Sequence, residues 1–115
     1  MKPSLKRIDT NTDISFESFT PQDSDCFGVW LNASIGSSEG DDADDFQIFV
    51  CNHAWLARQR GTGEQRYILL DRPYQAGAVV KVLEAYLAGC SGDNWSDVAA
   101  QVSKIGVWEF EGYRP

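Results

Sequence analysis

Two short runs of alternating apolar residues constrain this chain more than any other feature. In FGVWLNASI, residues 27–35, the side chains of Phe27, Val29, Leu31, Ala33 and Ile35 fall on one side. Gly28, Trp30, Asn32 and Ser34 fall on the other. In FQIFVC, residues 46–51, Phe46, Ile48 and Val50 alternate with Gln47, Phe49 and Cys51. Successive side chains of a strand point to opposite faces, so a period of two specifies half-buried strands. The connection between the runs holds Gly36 and Gly40 and suits a long hairpin loop.

The remaining chain alternates between the two periods. Ser4–Asp9 reads as an opening strand. Ile14 and Phe16 share a side in ISFESF before the pattern lapses, and Pro21 with QDSD reads as a turn. Asn52 is placed to cap a short helix from His53 to Arg60, stopped by Gly61. RYILL, residues 66–70, reads as a further strand. Asp71-Arg72-Pro73 opens a helix with Pro73 near its first turn. Val79, Val82, Leu83, Tyr86 and Leu87 recur in it at helical spacing, and Gly89 ends it. Asp93 or Asn94 caps a third helix carrying Trp95, Val98, Ala99 and Val102, ended by Gly106. VWEF, residues 107–110, closes the chain as a short strand.

The order β-β-β-α-β-α-α-β specifies an α+β fold: a single, largely antiparallel sheet with helices packed on one face. The chain has 115 residues, 43% of them hydrophobic. That is one domain's worth, residues 1–115, and argues against disorder. Phe27, Leu31, Ile48, Val50, Leu83, Trp95 and Trp108 are the expected core. No apolar run has the length of a secretion leader or a membrane span. Cys26, Cys51 and Cys90 form no C-x-x-C pair, and an odd count without a leader fits a reducing cytoplasm.

Charge is distributed unevenly. The net charge is −7. Residues 1–50 hold three basic side chains (Lys2, Lys6, Arg7) against ten acidic ones, while residues 51–115 hold seven of each. The excess peaks in SSEGDDADD, residues 37–45, with Glu39, Asp41, Asp42, Asp44 and Asp45 and no lysine or arginine among them. Phosphate backbones repel such a surface, which disfavours a nucleic-acid binder, whereas a basic protein would be steered towards it. The run is also what a solvated loop looks like.

Catalytic and metal chemistry find little support. A calcium loop needs oxygen ligands at positions 1, 3 and 5, glycine at 6 and glutamate at 12, and no register of the acidic run supplies them. His53 is the sole histidine, and with three scattered cysteines it gives no zinc spacing. Cys51 and His53 form a conceivable nucleophile pair, but Cys51 is expected inside a strand, where a thiol is inert. GTGEQR lacks the spacing and the lysine of a phosphate loop, and RQRGTGEQR, residues 58–66, reads as a solvated basic turn. No cofactor, metal site or catalytic residue is expected. Trp30 lies on the strand face opposite Val29 and Leu31. It either packs under a helix on a second covered face or stands exposed, and an exposed aromatic on an acidic surface would be an interface anchor.

CSGDNWSDVAAQVSKIGVWEFEGY resembles the ending of the bacterial Immunity protein 8 family of polymorphic toxin systems. The matching positions are Cys90, Gly92, Trp95, Gly106, Trp108, Glu109, Phe110 and Tyr113. FQIFVCNHAWL is similar to the family's strand followed by a WL pair, through Phe46, Val50, Cys51, Trp55 and Leu56, with Asn52, His53 and Ala54 where relatives often carry a proline. FGVWLNASIGSSEGDDADDF looks like its first hairpin. The resemblance implies a non-enzymatic protein that binds and neutralises a cognate toxin C-terminal domain by stoichiometric occlusion, encoded beside that toxin. The rivals are a general interaction or scaffold domain and a small Cys/His enzyme. If the toxin is a basic nuclease, an acidic loop mimics phosphate charge. Glu39, Asp41, Asp42, Asp44 and Asp45 are then the expected contacts, with Asp23, Asp25 and Trp30 as secondary candidates.

Overall fold

A computed structural model describes residues 1–59 and 66–111. Among these residues, five strands and three helices follow in the expected order. Strand β1 is Pro3–Thr10, β2 is Gly28–Ser37 and β3 is Asp44–Asn52. Helix α1 (His53–Arg58) leads to β4 (Ile68–Leu70). Then come α2 (Ala76–Ala88), α3 (Trp95–Val102) and β5 (Gly106–Trp108). The expected helix stop at Gly61, most of the basic turn at 58–66, and Tyr113 lie outside the described residues.

The hairpin is the centre of the sheet. β2 and β3 pair antiparallel from Gly28↔Cys51 to Ile35↔Asp44, and β1 pairs antiparallel with β2 on its far side. The other edge of β3 is shared. β5 pairs antiparallel with Phe46–Ile48, and β4 pairs parallel with Val50–Asn52. One parallel pairing within an otherwise antiparallel sheet follows from the α1 crossover, because a parallel neighbour cannot be reached by a tight turn.

Alternation decides which face is buried. Leu31, Ala33 and Ile35 of β2 and Phe46, Ile48 and Val50 of β3 are fully buried on one face. Helix α2 lays Val79, Leu83 and Leu87 on it, one every four residues, and α3 adds Val98, Ala99 and Val102. The two helices are tied by the Tyr86 hydroxyl, which donates to the Gln101 carbonyl at 2.6 Å. Asn94 caps α3, its side chain accepting from the Asp97 backbone N–H at 2.9 Å.

Several local expectations are revised. α2 starts at Ala76, three residues after Pro73. Tyr74 instead enters the core between Phe19 and Phe27, edge-on to both, and its N–H bonds the Ser24 carbonyl. Val82 is exposed on α2. Gly106 does not stop α3 but opens β5, which ends at Trp108 and leaves Glu109 and Phe110 in a turn. Phe16 is buried while Ile14 is exposed. Trp95 and Trp108 are half-buried against the core rather than within it, with both indole N–H groups turned to Asp44.

Candidate functional site

The acidic run divides in two. Asp44 and Asp45 belong to β3, not to the loop. By alternation Asp44 faces the helices, where its Oδ2 accepts the indole N–H of Trp95 at 2.6 Å and that of Trp108 at 2.9 Å. Asp45 faces the opposite side, where its Oδ1 accepts the Ser34 hydroxyl at 2.8 Å. Its backbone N–H donates to Glu109 Oε1 at 2.8 Å. Both carboxylates are therefore committed to holding the hairpin, α3 and β5 together.

Glu39, Asp41 and Asp42 are the ones that stand in solvent, at the tip of the hairpin. The tip is built rather than loose. Gly40 N–H bonds the Ser37 carbonyl, and Ser38 N–H bonds the Lys2 carbonyl. A bulge in β1 between Leu5 and Arg7 frees Lys6, whose Nζ donates to the Gly40 carbonyl at 2.8 Å. The chain then turns back so closely that a Cβ on Gly36 would collide with the Asp42 carbonyl. A cavity of about 360 Å³ lies beneath, between Gly36, Asp42, Asp44 and Trp95.

The second group of candidates sits at the other end of the hairpin. Asp23 and Asp25 are exposed in the segment before β2. Asp23 Oδ1 accepts the Asp25 N–H at 2.9 Å. The Asp25 carbonyl accepts from Asn52, whose Oδ1 in turn takes the N–H groups of Phe27 and Trp55. One asparagine thereby caps α1 and fixes the entry to β2. With a rise of about 3.3 Å per residue, the ends of β2 lie roughly 30 Å apart. The structure therefore does not gather the candidates into one cluster.

Trp30 stands on the face that α2 and α3 leave uncovered, with 40% of its surface exposed. Its cross-strand partner is Phe49, with ring centroids 5.1 Å apart. Phe49 is buried, although it lies outside the main core, because Trp55 of α1 packs on it at 4.8 Å. Alternation signals Trp30 but not the support that Trp55 gives it. The short helix that follows β3 directly turns Trp55 back over the opposite face. A cleft of about 320 Å³ opens beside Trp55, bounded by Asp23, Cys26 and Gly28.

Cys51 and His53 sit in contrasting surroundings. Cys51 is fully buried in β3, and burial pushes its thiol up to about 11 from an ordinary 9.0. The thiolate needed for attack is scarce at neutral pH. His53 is exposed at the start of α1. No group of three or more metal-ligating side chains comes together among the described residues. Arg66 is structural: it forms a two-pronged pair with Glu111 at 2.7 and 3.1 Å and donates to the Ser103 and Gly106 carbonyls. Hydrogen bonding from Arg66 holds the Glu111 carboxyl below the usual range.

The family model for Immunity protein 8 matches residues 4–113. The chain belongs to the Immunity protein 8 family. The match takes in every described strand and helix except Pro3, the first residue of β1. Membership makes it an immunity protein of a toxin system, with a cognate toxin as its partner. No curated protein and no solved structure matches the chain. No helix among the described residues is long and apolar enough to cross a membrane.

Proposed function

We propose that this immunity protein acts in the cytoplasm of the producing cell by binding a polymorphic-toxin C-terminal domain one-to-one and occluding it, without catalysis. The observation that carries this reading is the family match over residues 4–113 in a chain whose buried thiol is unsuited to attack. The exposed hairpin tip supplies the electrostatics. Glu39, Asp41 and Asp42 project from a tip tied down by Lys6, Ser37 and Lys2, so little order has to be gained on binding. Asp44 and Asp45 shape that tip from beneath. A basic partner, such as a nuclease with a phosphate-binding surface, is drawn to such a tip, and steering of this kind raises association rates by roughly 10 to 1000-fold.

Growth rescue tests the reading. The toxin domain encoded beside this chain is induced in a bacterial host with and without the chain. Survival only in its presence is the expected result. Killing that the chain does not relieve contradicts immunity for that pair.

A further inference from the structure

The open face of the sheet carries an aromatic centre that the acidic tip does not include. We propose that Trp30, seated on Phe49, which Trp55 braces, is the anchor by which this face holds a basic surface of the toxin domain, while the tip governs how fast the two meet. This rests on the immunity reading above.

Three observations support it. The first is the setting of Trp30. Binding energy concentrates in aromatic side chains backed by a rigid, desolvated floor. Phe49 is that floor: it is buried on the face that α2 and α3 leave open, and Trp55 of α1 braces it. The floor leaves no slack, since a Cβ on Gly28 would lie 2.6 Å from both the Phe49 and the Trp55 rings. The cleft beside Trp55 continues this patch and can admit a partner's side chain.

The second observation is that the polar rows beside Trp30 are already ordered. Gln47 donates to Asn32 at 2.8 Å, and Asn11 donates to Gln47 at 3.1 Å and to the Trp30 carbonyl at 3.3 Å. These side chains lose little freedom when a partner docks.

The third is charge. The register places Arg7 and Asp9 on this face, bonded to each other at 2.8 Å and so mutually neutralised. Asp45 and Glu109 remain at one end, and Asp23 and Asp25 at the other. An apolar centre rimmed by carboxylates complements a partner with a basic rim around an apolar pocket. Size agrees. Strands about 4.8 Å apart and an end-to-end span of about 30 Å give roughly 600 Å² in plan, close to the 800 Å² that each partner contributes to a standard interface.

The test measures association and dissociation rates of the full chain with the toxin domain encoded beside it, carried in a catalytically inactivated form. Trp30→Ala is compared with Asn32→Arg, which sets a cation on the same face two residues along. Each variant is first shown to melt within about 6 °C of the parent. Trp30→Ala is expected to weaken binding about 30-fold or more, nearly all of it through faster dissociation. Asn32→Arg is expected to weaken it as well, with slower association. If either variant folds and binds within about threefold of the parent, the open face is not the contact, although immunity stands. If the parent itself does not bind, the immunity reading fails and takes this proposal with it. Self-association of the parent that Trp30→Ala abolishes would assign the face to a second copy and overturn the proposal.

Discussion

Asp44 shows how unlike neighbouring carboxylates are once folded. One oxygen serves two indoles, from residues 51 and 64 positions further along the chain. Hydrogen bonds to a charged group contribute about 1.5 to 3 kcal/mol each, with losses that overlap when they share an atom. Asp44→Ala is expected to destabilise the fold by about 3 kcal/mol, read from denaturant unfolding. Asp44→Asn keeps an acceptor and should lose about half of that. Asp41→Asn should stay within about 0.5 kcal/mol, because its carboxylate is exposed. The alternation read from Phe46 to Cys51 stops short of Asp44, so in sequence it looks like Asp41, and the distinction rests on where Trp95 and Trp108 arrive. Cys51 behaves in the opposite sense. Its folded thiol titrates near 11 against 9.0 when free, so the stability this adds is intact below pH 9 and is lost as pH rises from 9 to 11. Unfolding free energy measured at pH 8 and 10.5 should fall more in the parent than in Cys51→Ala, by up to about 2 kcal/mol.

At the scale of elements, the order of strands and helices was legible because each element follows one period closely. The faces of β2 and β3 were legible for the same reason. Pairing along the second edge of β3 was not. β4 and β5 are three residues each and carry too little pattern to declare their neighbour or direction. The start of α2 was misread because Pro73 is a good first-turn residue, but Tyr74 next to it gains more by entering the core. Among the candidate contacts, exposure of Trp30 could be posed as an alternative from alternation, but its Phe49 and Trp55 support depends on α1 folding to the open side. β5 is held by side chains as much as by its ladder. Trp108 stacks on Phe46 and bonds Asp44. Trp108→Ala is expected to cost about 3 kcal/mol, at the low end for a large aromatic because the ring is half-buried. A shift in melting temperature of only a degree or two would contradict this.

At the scale of the whole molecule, the candidate contacts are spread along the length of the hairpin. The hairpin tip projects at one end, and Asp23 and Asp25 lie at the other, with the open face between them. Removing the tip charges, Glu39→Gln with Asp41→Asn and Asp42→Asn, should slow association with the toxin domain about tenfold at low salt. The deficit should shrink as salt approaches the concentration at which the Debye length is a few ångströms. Stability should barely change. Equal rates across the salt series would remove the tip from the encounter.

Occlusion by one-to-one binding is tested by titrating a fixed amount of active toxin domain with this chain. Toxin activity should fall linearly to zero at one molecule of chain per molecule of toxin and stay there with time. Inactivation of excess toxin by a small fraction of the chain, growing with incubation, would mean turnover and contradict the account, as would full activity at a molar excess of the chain.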